Sequence, residues 1–221
     1  MTPAVERFTH PSSTPSTRSP VLITPELPPN WTALVLSGGR GSRLGADKDA
    51  VLIGGASSMN HVLVSLPTAI HVVVVGPEPR EPVRPVTVTR ESPIGGGPAA
   101  AIAAGLEFVT SDIVAVIATD MPFAGTLLAH LVQELPAGLD ALMPIDTNGR
   151  RQPLCAVYRT AALREAVASL GDPNGQSMRA LTTHLAVREI LIEDHITLHD
   201  IDTTFDLDRA RAIILSMKGD S

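Results

Sequence analysis

The most informative stretch of this chain is residues 34–48, which read Leu-Val-Leu-Ser-Gly-Gly-Arg-Gly-Ser-Arg-Leu-Gly-Ala-Asp-Lys. The apolar run from Thr32 to Leu36 predicts a buried β-strand. The run ends in Gly38, Gly39 and Gly41, which allow the sharp turn that brings backbone N–H groups close to a ligand. A glycine-rich turn directly after a strand is typical of loops that bind phosphate.

Three cations, Arg40, Arg43 and Lys48, lie on or just after this turn. Two common phosphate-binding motifs do not fit it. A P-loop requires Gly-Lys followed by Ser or Thr, whereas Lys48 stands between two aspartates. A dinucleotide-binding G-x-G-x-x-G requires a glycine where this chain has Leu44. A plain turn has no need of three cations, so we interpret the stretch as a phosphate loop of another type.

The composition indicates one α/β domain. The chain has 221 residues, of which 44% are hydrophobic, 18% charged and only 3% aromatic. A core built from Val, Ile, Leu and Ala favours buried parallel strands covered by alanine-rich helices. The net charge of −6 argues against nucleic acid as the main partner, because there is no surplus of cations to neutralise a phosphate backbone.

Cys155 is the only cysteine, so an intrachain disulfide and a cysteine-rich zinc site are both excluded. It lies in an apolar run, which favours a buried packing thiol over a nucleophile. No apolar run reaches the roughly 18 residues that a membrane span needs. We therefore expect a cytoplasmic protein.

Residues 1–30 differ from the rest, with seven prolines and nine serines or threonines and no periodic apolar face. We predict a disordered tail there and a single domain over residues 31–221. Apolar runs predict strands at 32–36, 70–75, 86–89, 112–118, 140–145, 153–158 and 187–192. Helical patterns fall near 57–66, 98–109, 124–135, 160–169, 176–184 and 207–217. This alternation predicts a mostly parallel, three-layer sheet whose ligand binds at the carboxyl ends of the strands.

The run Ile113–Pro122 predicts a buried strand with Asp120 at its carboxyl end, at the same edge as the glycine-rich turn. A carboxylate beside a triphosphate is suited to hold Mg²⁺, which prefers hard oxygen ligands. Aspartate is also a favoured helix cap, so the residues alone leave both roles open for Asp120.

The run from Leu36 to Gly45, with Lys48 shortly after, resembles the signature of the nucleotidyltransferases similar to molybdenum-cofactor guanylyltransferase. Ser37 replaces the usual alanine. The resemblance extends over Thr32 to Ala212. It implies a Rossmann-like α/β/α sheet of the nucleotide-diphospho-sugar transferase type. It also implies Mg²⁺-dependent transfer of a nucleoside monophosphate from a nucleoside triphosphate to a phosphate-bearing acceptor, with release of pyrophosphate.

The resemblance also implies the roles of individual residues. Arg43, Lys48 and Asp120 would be catalytic, with Asp120 binding the metal. The loop Arg90–Pro98 resembles the segment that encloses the base and ribose, with Glu91 where the guanylyl enzyme usually has aspartate. The nucleotide-binding residues implied are Leu36, Gly38, Gly39, Arg40, Gly41, Lys48, Glu91, Gly96, Gly97, Pro98 and Asp120.

The segment Phe205–Ala212 resembles the start of the last helix of the family. Asp208 would then be a second metal ligand, supported by Asp206. Helix capping and interaction with the helix dipole are the alternative for both carboxylates.

Two further groups invite an interpretation. His195 and His199 have helical spacing, but no HExxH motif accompanies them, so we expect surface histidines rather than zinc ligands. Arg150 and Arg151 either contact the phosphate of the second substrate or are solvated turn residues.

The substrates that the resemblance favours are GTP and molybdopterin, which would give the guanine dinucleotide cofactor. It also implies partners among molybdoenzymes or enzymes of the cofactor pathway. One alternative is a cytidylyl- or guanylyltransferase of the same family with other substrates: molybdopterin with CTP, a sugar phosphate or phospholactate. The other is a non-catalytic nucleotide-binding accessory protein.

Overall fold

The computed structural model describes residues 29–38 and 52–219 of the chain. Nine strands and six helices alternate along these ranges. The strands are β1 (Trp31–Leu36), β2 (Leu52–Ile53), β3 (Ala56–Ser57), β4 (His71–Val75), β5 (Thr87–Thr89), β6 (Ile113–Ala118), β7 (Ala141–Ile145), β8 (Cys155–Arg159) and β9 (Val187–Leu191). The helices are α1 (Ser58–Val64), α2 (Pro98–Leu106), α3 (Gly125–Glu134), α4 (Thr160–Leu170), α5 (Met178–Thr182) and α6 (Thr204–Gly219).

Seven of these strands form one sheet in the order β5-β4-β1-β6-β8-β7-β9. All neighbouring pairs are parallel except those of β8, which runs antiparallel to both β6 and β7. The chain moves from β1 to β4 on one side and later returns to place β6 on the other. The strand order therefore reverses at β1, which is where ligands bind in open α/β sheets.

Helices cover both faces of the sheet because its strands are apolar on both sides. One core combines α1 and α3 with residues such as Ala33, Val35 and Ile117. The other combines α2, α4 and α5 with residues such as Leu34 and Val116. Alternate residues of β1 and β6 thus enter opposite cores, as the period of a strand requires. The result is the predicted three-layer α/β/α architecture.

The seven predicted strands and six predicted helices are all present, with ends shifted by a few residues. The short antiparallel pair β2–β3 is an addition, since two-residue strands leave no periodic pattern in a sequence. Cys155 is fully buried, and this burial raises the pKa of its thiol to about 12, as expected for a packing residue. Within the described ranges, no helix is both long and apolar enough to span a membrane.

Candidate active site at the carboxyl edge of the sheet

A cavity of about 600 Å³ opens at the carboxyl ends of β1, β4, β5 and β6. It lies at the reversal of strand order, so the topology alone accounts for its position. Its wall is formed by the residues that follow these strands and by the loop that leads into α2. The lining residues are Leu36, Ser37, Gly38, Val75, Gly76, Arg90, Glu91, Ile94, Gly95, Gly97, Pro98, Ala101, Ala118, Thr119, Asp120 and Leu154.

The floor of the cavity is held by hydrogen bonds that continue the sheet beyond its strands. Ser37 N–H donates to the carbonyl of Val75 at 2.8 Å, and Thr119 N–H donates to the carbonyl of Leu36 at 3.0 Å. Gly76 has a φ of +145° and passes so close to Ser37 that an added Cβ would collide with the Ser37 carbonyl oxygen. A glycine is therefore required at this position for the two strand ends to close the floor.

The loop of residues 91–98, here called the glycine loop, forms one wall. Gly95 N–H donates to Glu91 Oε1 at 3.0 Å, so the predicted ligand Glu91 also ties its own loop together. Gly97, with a φ of +90°, is the N-cap residue of α2, and Pro98 follows at the first helical position. No side chain caps this helix. Ile94 lines the cavity although it is 69% exposed.

Gly96 is the predicted glycine that the structure does not bring to the cavity. It is buried and turned away from the cavity, and an added Cβ would collide with Asn174 Oδ1. Gly95 and Gly97, on either side of it, do line the cavity. The loop turns here, with Gly96 N–H donating to the carbonyl of Pro93 at 3.2 Å. Because the directions of residues in such a turn follow no simple period, the motif alone could not show which of the three glycines faces the ligand.

Asp120 also lines the cavity, in the turn that follows β6. The alternative interpretation, in which it caps the next helix, is wrong. Helix α3 begins at Gly125, its N-cap residue is Ala124, and no side chain caps it. Asp120 thus lines the cavity and does not cap α3, and its role toward a ligand stays a prediction.

Asp208 is not among the residues that line the cavity. Its side chain is 75% exposed, and its carboxylate pairs with Arg211 on the same helix at 3.1 Å. Leu207 and Ala210 occupy the buried side of α6, in a small cluster with Ile53, so the helical period turns Asp208 outward. The structure thus gives no support to Asp208 as a metal ligand, and the predicted pair with Asp120 is not brought together at the cavity.

Asp206 has the helix-capping role, which was the alternative to supporting a metal ligand. Its Oδ2 accepts hydrogen bonds from Thr203 N–H at 2.8 Å and Thr203 Oγ1 at 2.7 Å, and Thr203 Oγ1 accepts from Asp206 N–H at 3.2 Å. This reciprocal pair is a capping box, which starts α6 at Thr204. Burial acts to raise the pKa of Asp206, but the hydrogen bonds from Thr203 and Asp202 outweigh it and lower the pKa.

The segment before α6 contains acids that sequence reasoning missed. Ile201 N–H donates to the backbone carbonyl of Asp120, in the cavity wall, at 2.9 Å. Asp200 and Asp202 are the neighbours of Ile201 on either side. The sequence signal was an Asp-Ile-Asp triplet before the capping box. The interpretation of this segment considered His195 and His199 and did not consider these aspartates.

Those two histidines behave differently. His199 is buried, and its Nε2 lies 2.9 Å from the carbonyl of Asp206, so the expectation of a surface histidine is wrong for this residue. His195 is exposed, as expected. In the part of the chain that the structure describes, no group of three or more His, Cys, Asp or Glu is placed to hold a metal.

Two predicted groups remain. Gly39, Arg40, Gly41, Arg43 and Lys48 lie outside the described residues, so their roles stay predictions. Arg151 pairs with Glu189 on β9, and Arg150 is an exposed residue of the turn between β7 and β8. Leu36, Gly38, Glu91, Gly97, Pro98 and Asp120 all line the cavity, with Arg90 as the cation among the described lining residues.

The fold and the cavity define a class of nucleotide-binding α/β protein, and comparison with known proteins gives the family. Residues 33–188 match the model of the MobA-like NTP transferase domain. The chain belongs to this family and is a nucleotidyltransferase.

Relatives and solved structures agree with this assignment. The probable molybdenum cofactor guanylyltransferase of Bacillus cereus (strain Q1) is 31% identical over 172 residues, which cover 74% of this chain and 85% of the relative. Molybdopterin-guanine dinucleotide biosynthesis protein A from Archaeoglobus fulgidus is 25% identical with a TM-score of 0.65, covering 84% of this chain and 99% of that one. The 2-C-methyl-D-erythritol 4-phosphate cytidylyltransferase from Thermus thermophilus shares the fold, at 22% identity and a TM-score of 0.62, covering 83% and 98%.

Proposed function

We propose that this protein transfers GMP from GTP to molybdopterin, with release of pyrophosphate. The observation that carries the proposal is the cavity at the strand-order reversal, which is lined by both the glycine loop and Asp120. A volume of about 600 Å³ lies within the range of small-molecule sites. The relatives named molybdenum cofactor guanylyltransferase support the choice of both substrates.

The chemistry requires one bond to form and one to break. An oxygen of the molybdopterin phosphate attacks the α-phosphorus of GTP, and the bond from that phosphorus to the bridging oxygen of pyrophosphate breaks. The chain's contribution is to place the two phosphates in line and to stabilise the leaving charge. Arg43 and Lys48 are the residues proposed to bind that charge, and the glycine loop encloses the nucleoside.

The donor chemistry of the cavity fits Mg²⁺. A carboxylate such as Asp120, in the wall of a cavity that takes a triphosphate, would repel its ligand unless a cation lay between them. Mg²⁺ is commonly held by one or two carboxylates together with substrate phosphates, so a cluster of three protein ligands is not needed. When bound, Mg²⁺ would neutralise phosphate oxygens and polarise the reacting phosphorus. We propose Asp120 as its ligand. Neither Asp202 nor Asp208 lines the cavity. We propose Asp202 as the second carboxylate because it follows Ile201, whose N–H donates to the Asp120 carbonyl.

The test is a pyrophosphate-release assay with each of the four nucleoside triphosphates, with and without molybdopterin, over a range of Mg²⁺ concentrations. Release that requires both GTP and molybdopterin would support the proposal. Release with CTP would indicate a cytidylyltransferase instead. Binding of GTP without release, with any of the proposed acceptors, would favour the accessory protein.

A further inference from the structure

The glycine loop is supported from behind by the segment of residues 171–177, here called the buttress, which joins α4 to α5. Gly175 N–H donates to the carbonyl of Gly96 at 2.8 Å. Asn174 occupies the space into which a side chain at Gly96 would point, and its Oδ1 is the atom that an added Cβ would meet. The buttress therefore touches the one glycine that faces away from the cavity, between the two that line it.

The Asn174 side chain is fixed in this position by its own turn. Its Nδ2 donates to Asp172 Oδ1 at 2.7 Å, and its backbone N–H donates to the same oxygen at 2.9 Å. Its Oδ1 is buried and has no hydrogen-bond partner within the described residues. A buried oxygen without a partner is destabilising, so its placement against Gly96 calls for a reason other than stability.

Both ends of the buttress are anchored. Gly171 ends α4, and Ser177 Oγ accepts from Ala180 N–H at 3.2 Å to cap α5. Met178 and Leu181 of α5 are buried in the same core as Ile102 of α2, the helix into which the glycine loop leads. The buttress and the glycine loop therefore rest on one packed layer, and the buttress can resist displacement of the loop.

We propose that Asn174 is a positioning residue for the nucleotide: with Gly175, it holds Gly96 so that Gly95 and Gly97 present their backbone to the ligand. This inference rests on the proposed function, because it assumes that the glycine loop binds a nucleoside triphosphate. Asn174 touches neither the cavity nor the reacting phosphates, and it acts through Gly96. The expected signature is weaker triphosphate binding with little change in the rate constant of the bound complex.

The chain contains a matched control. The turn Asp146–Gly149 has the same Asp-x-Asn-Gly pattern, and Asn148 N–H donates to Asp146 Oδ1 at 2.9 Å, as in the buttress. There, however, Gly149 N–H bonds within its own turn, to the carbonyl of Asp146, and Asn148 is exposed. Asn148→Ala thus changes the same residue in a turn of the same pattern without touching the glycine loop. The side-chain bond from Asn174 Nδ2 to Asp172 is the local difference between the two turns.

The experiment compares Asn174→Ala with Asn148→Ala in the full chain, using GTP titration with Mg²⁺ and no acceptor, turnover kinetics, thermal melts and hydrogen exchange of peptides covering residues 90–102. Asn174→Ala should raise the Kd for GTP about tenfold, equivalent to about 1.4 kcal/mol, and speed exchange in the loop. Its kcat should stay within about twofold of the wild type, and Asn148→Ala should change none of these. Gly96→Ala should raise the Kd for GTP as well. In the variant that carries both Asn174→Ala and Gly96→Ala, the increase in Kd should be smaller than the product of the two single increases.

The outcomes separate this inference from the function on which it rests. If the wild type binds GTP and Asn174→Ala binds it equally well, the positioning role is overturned while the proposed function stands. Faster exchange of the loop without weaker binding would make the contact merely structural, which also overturns the proposal. If the wild type binds none of the four nucleoside triphosphates, the proposed function fails, and the inference fails with it.

Discussion

Asp120 is the residue on which the proposed chemistry most depends, because it lines the cavity and caps no helix. Asp120→Asn keeps the shape of the side chain but removes the charge that would attract Mg²⁺. We expect turnover to fall by about 10²-fold or more, comparable to the loss of one catalytic electrostatic contact. The melting temperature should change by only a few degrees. Pyrophosphate release against Mg²⁺ concentration, beside a thermal melt, measures both; an unchanged Mg²⁺ dependence would remove the metal role.

The second carboxylate can be assigned by comparing two aspartates. Asp202 follows the residue that bonds to Asp120, whereas Asp208 is exposed and paired with Arg211. We expect Asp202→Asn to lower turnover at least about tenfold, because it changes a charge beside the proposed metal position. Asp208→Asn should leave turnover nearly unchanged, because the Asp208 side chain is exposed and does not line the cavity. The reverse order of effects would restore Asp208 as the ligand.

Lys48 is predicted from the motif alone to stabilise the leaving pyrophosphate. Lys48→Ala should lower kcat about 10²–10³-fold, the typical loss for one group that binds charge in the transition state. Its thermal melt should be that of the wild type if Lys48 lies on a loop, as the motif predicts. A purified variant with wild-type turnover would contradict the assignment of this residue, and Arg43 would then be the next cation to test.

At the scale of elements, the strands and helices could be predicted because apolar runs and helical periods mark them directly. The edge at which the cavity lies could be predicted too, since Gly38 and Asp120 each come two residues after a parallel strand and are delivered to the same edge of the sheet. The directions in which individual residues face could not be predicted. Gly96 faces backward and Asp208 faces outward, and these directions depend on the rotation of a loop and a helix against neighbours distant in sequence.

The capping box of α6 gives a pH-dependent prediction. The hydrogen bonds to Asp206 lower its pKa in the folded state, so its ionised form stabilises the fold above the unfolded-state pKa of about 4. That contribution is lost as the pH falls through the lower, folded-state pKa. Asp206→Asn should therefore be less stable than the wild type at pH 7, because a neutral amide oxygen accepts these hydrogen bonds more weakly than a carboxylate.

Denaturant unfolding of the wild type and Asp206→Asn between pH 7 and pH 3 measures this difference. The difference in the free energy of unfolding between the two proteins should stay constant down to about pH 4 and then shrink. Only the wild type has a carboxylate at this position that becomes protonated. Asp208→Asn is the control on the same helix, with a carboxylate that makes no capping bond. If the difference in the free energy of unfolding does not change with pH, the stabilisation by the capping box depends on the shape of the side chain and not on its charge.

At the scale of the whole molecule, the sheet sets a boundary for the domain. β1 is a central strand, paired with β4 and β6 from its first residues onward, so the fold requires the chain from Trp31. Trp31 is only 2% exposed, and its carbonyl accepts from Ile70 N–H at 3.1 Å. For residues 1–30 the composition predicts that the segment does not join the core, and this stays a prediction.

Deleting residues 1–29 should therefore leave the melting temperature within about 2 °C of the full chain, a change below about 1 kcal/mol for a domain of this size. Turnover should also be unchanged, because the glycine loop and Asp120 are supported by the sheet and its helices. The matched perturbation is Trp31→Ala, which removes a buried side chain two residues after the deletion ends and should cost about 3–5 kcal/mol. If the deletion destabilises the protein as much as this substitution does, the tail packs against the domain and the boundary lies earlier in the chain. If the deletion instead leaves stability unchanged but raises the KM for one substrate, the tail contributes to binding, because a segment outside the core can affect a substrate only by contacting it or the loops around it.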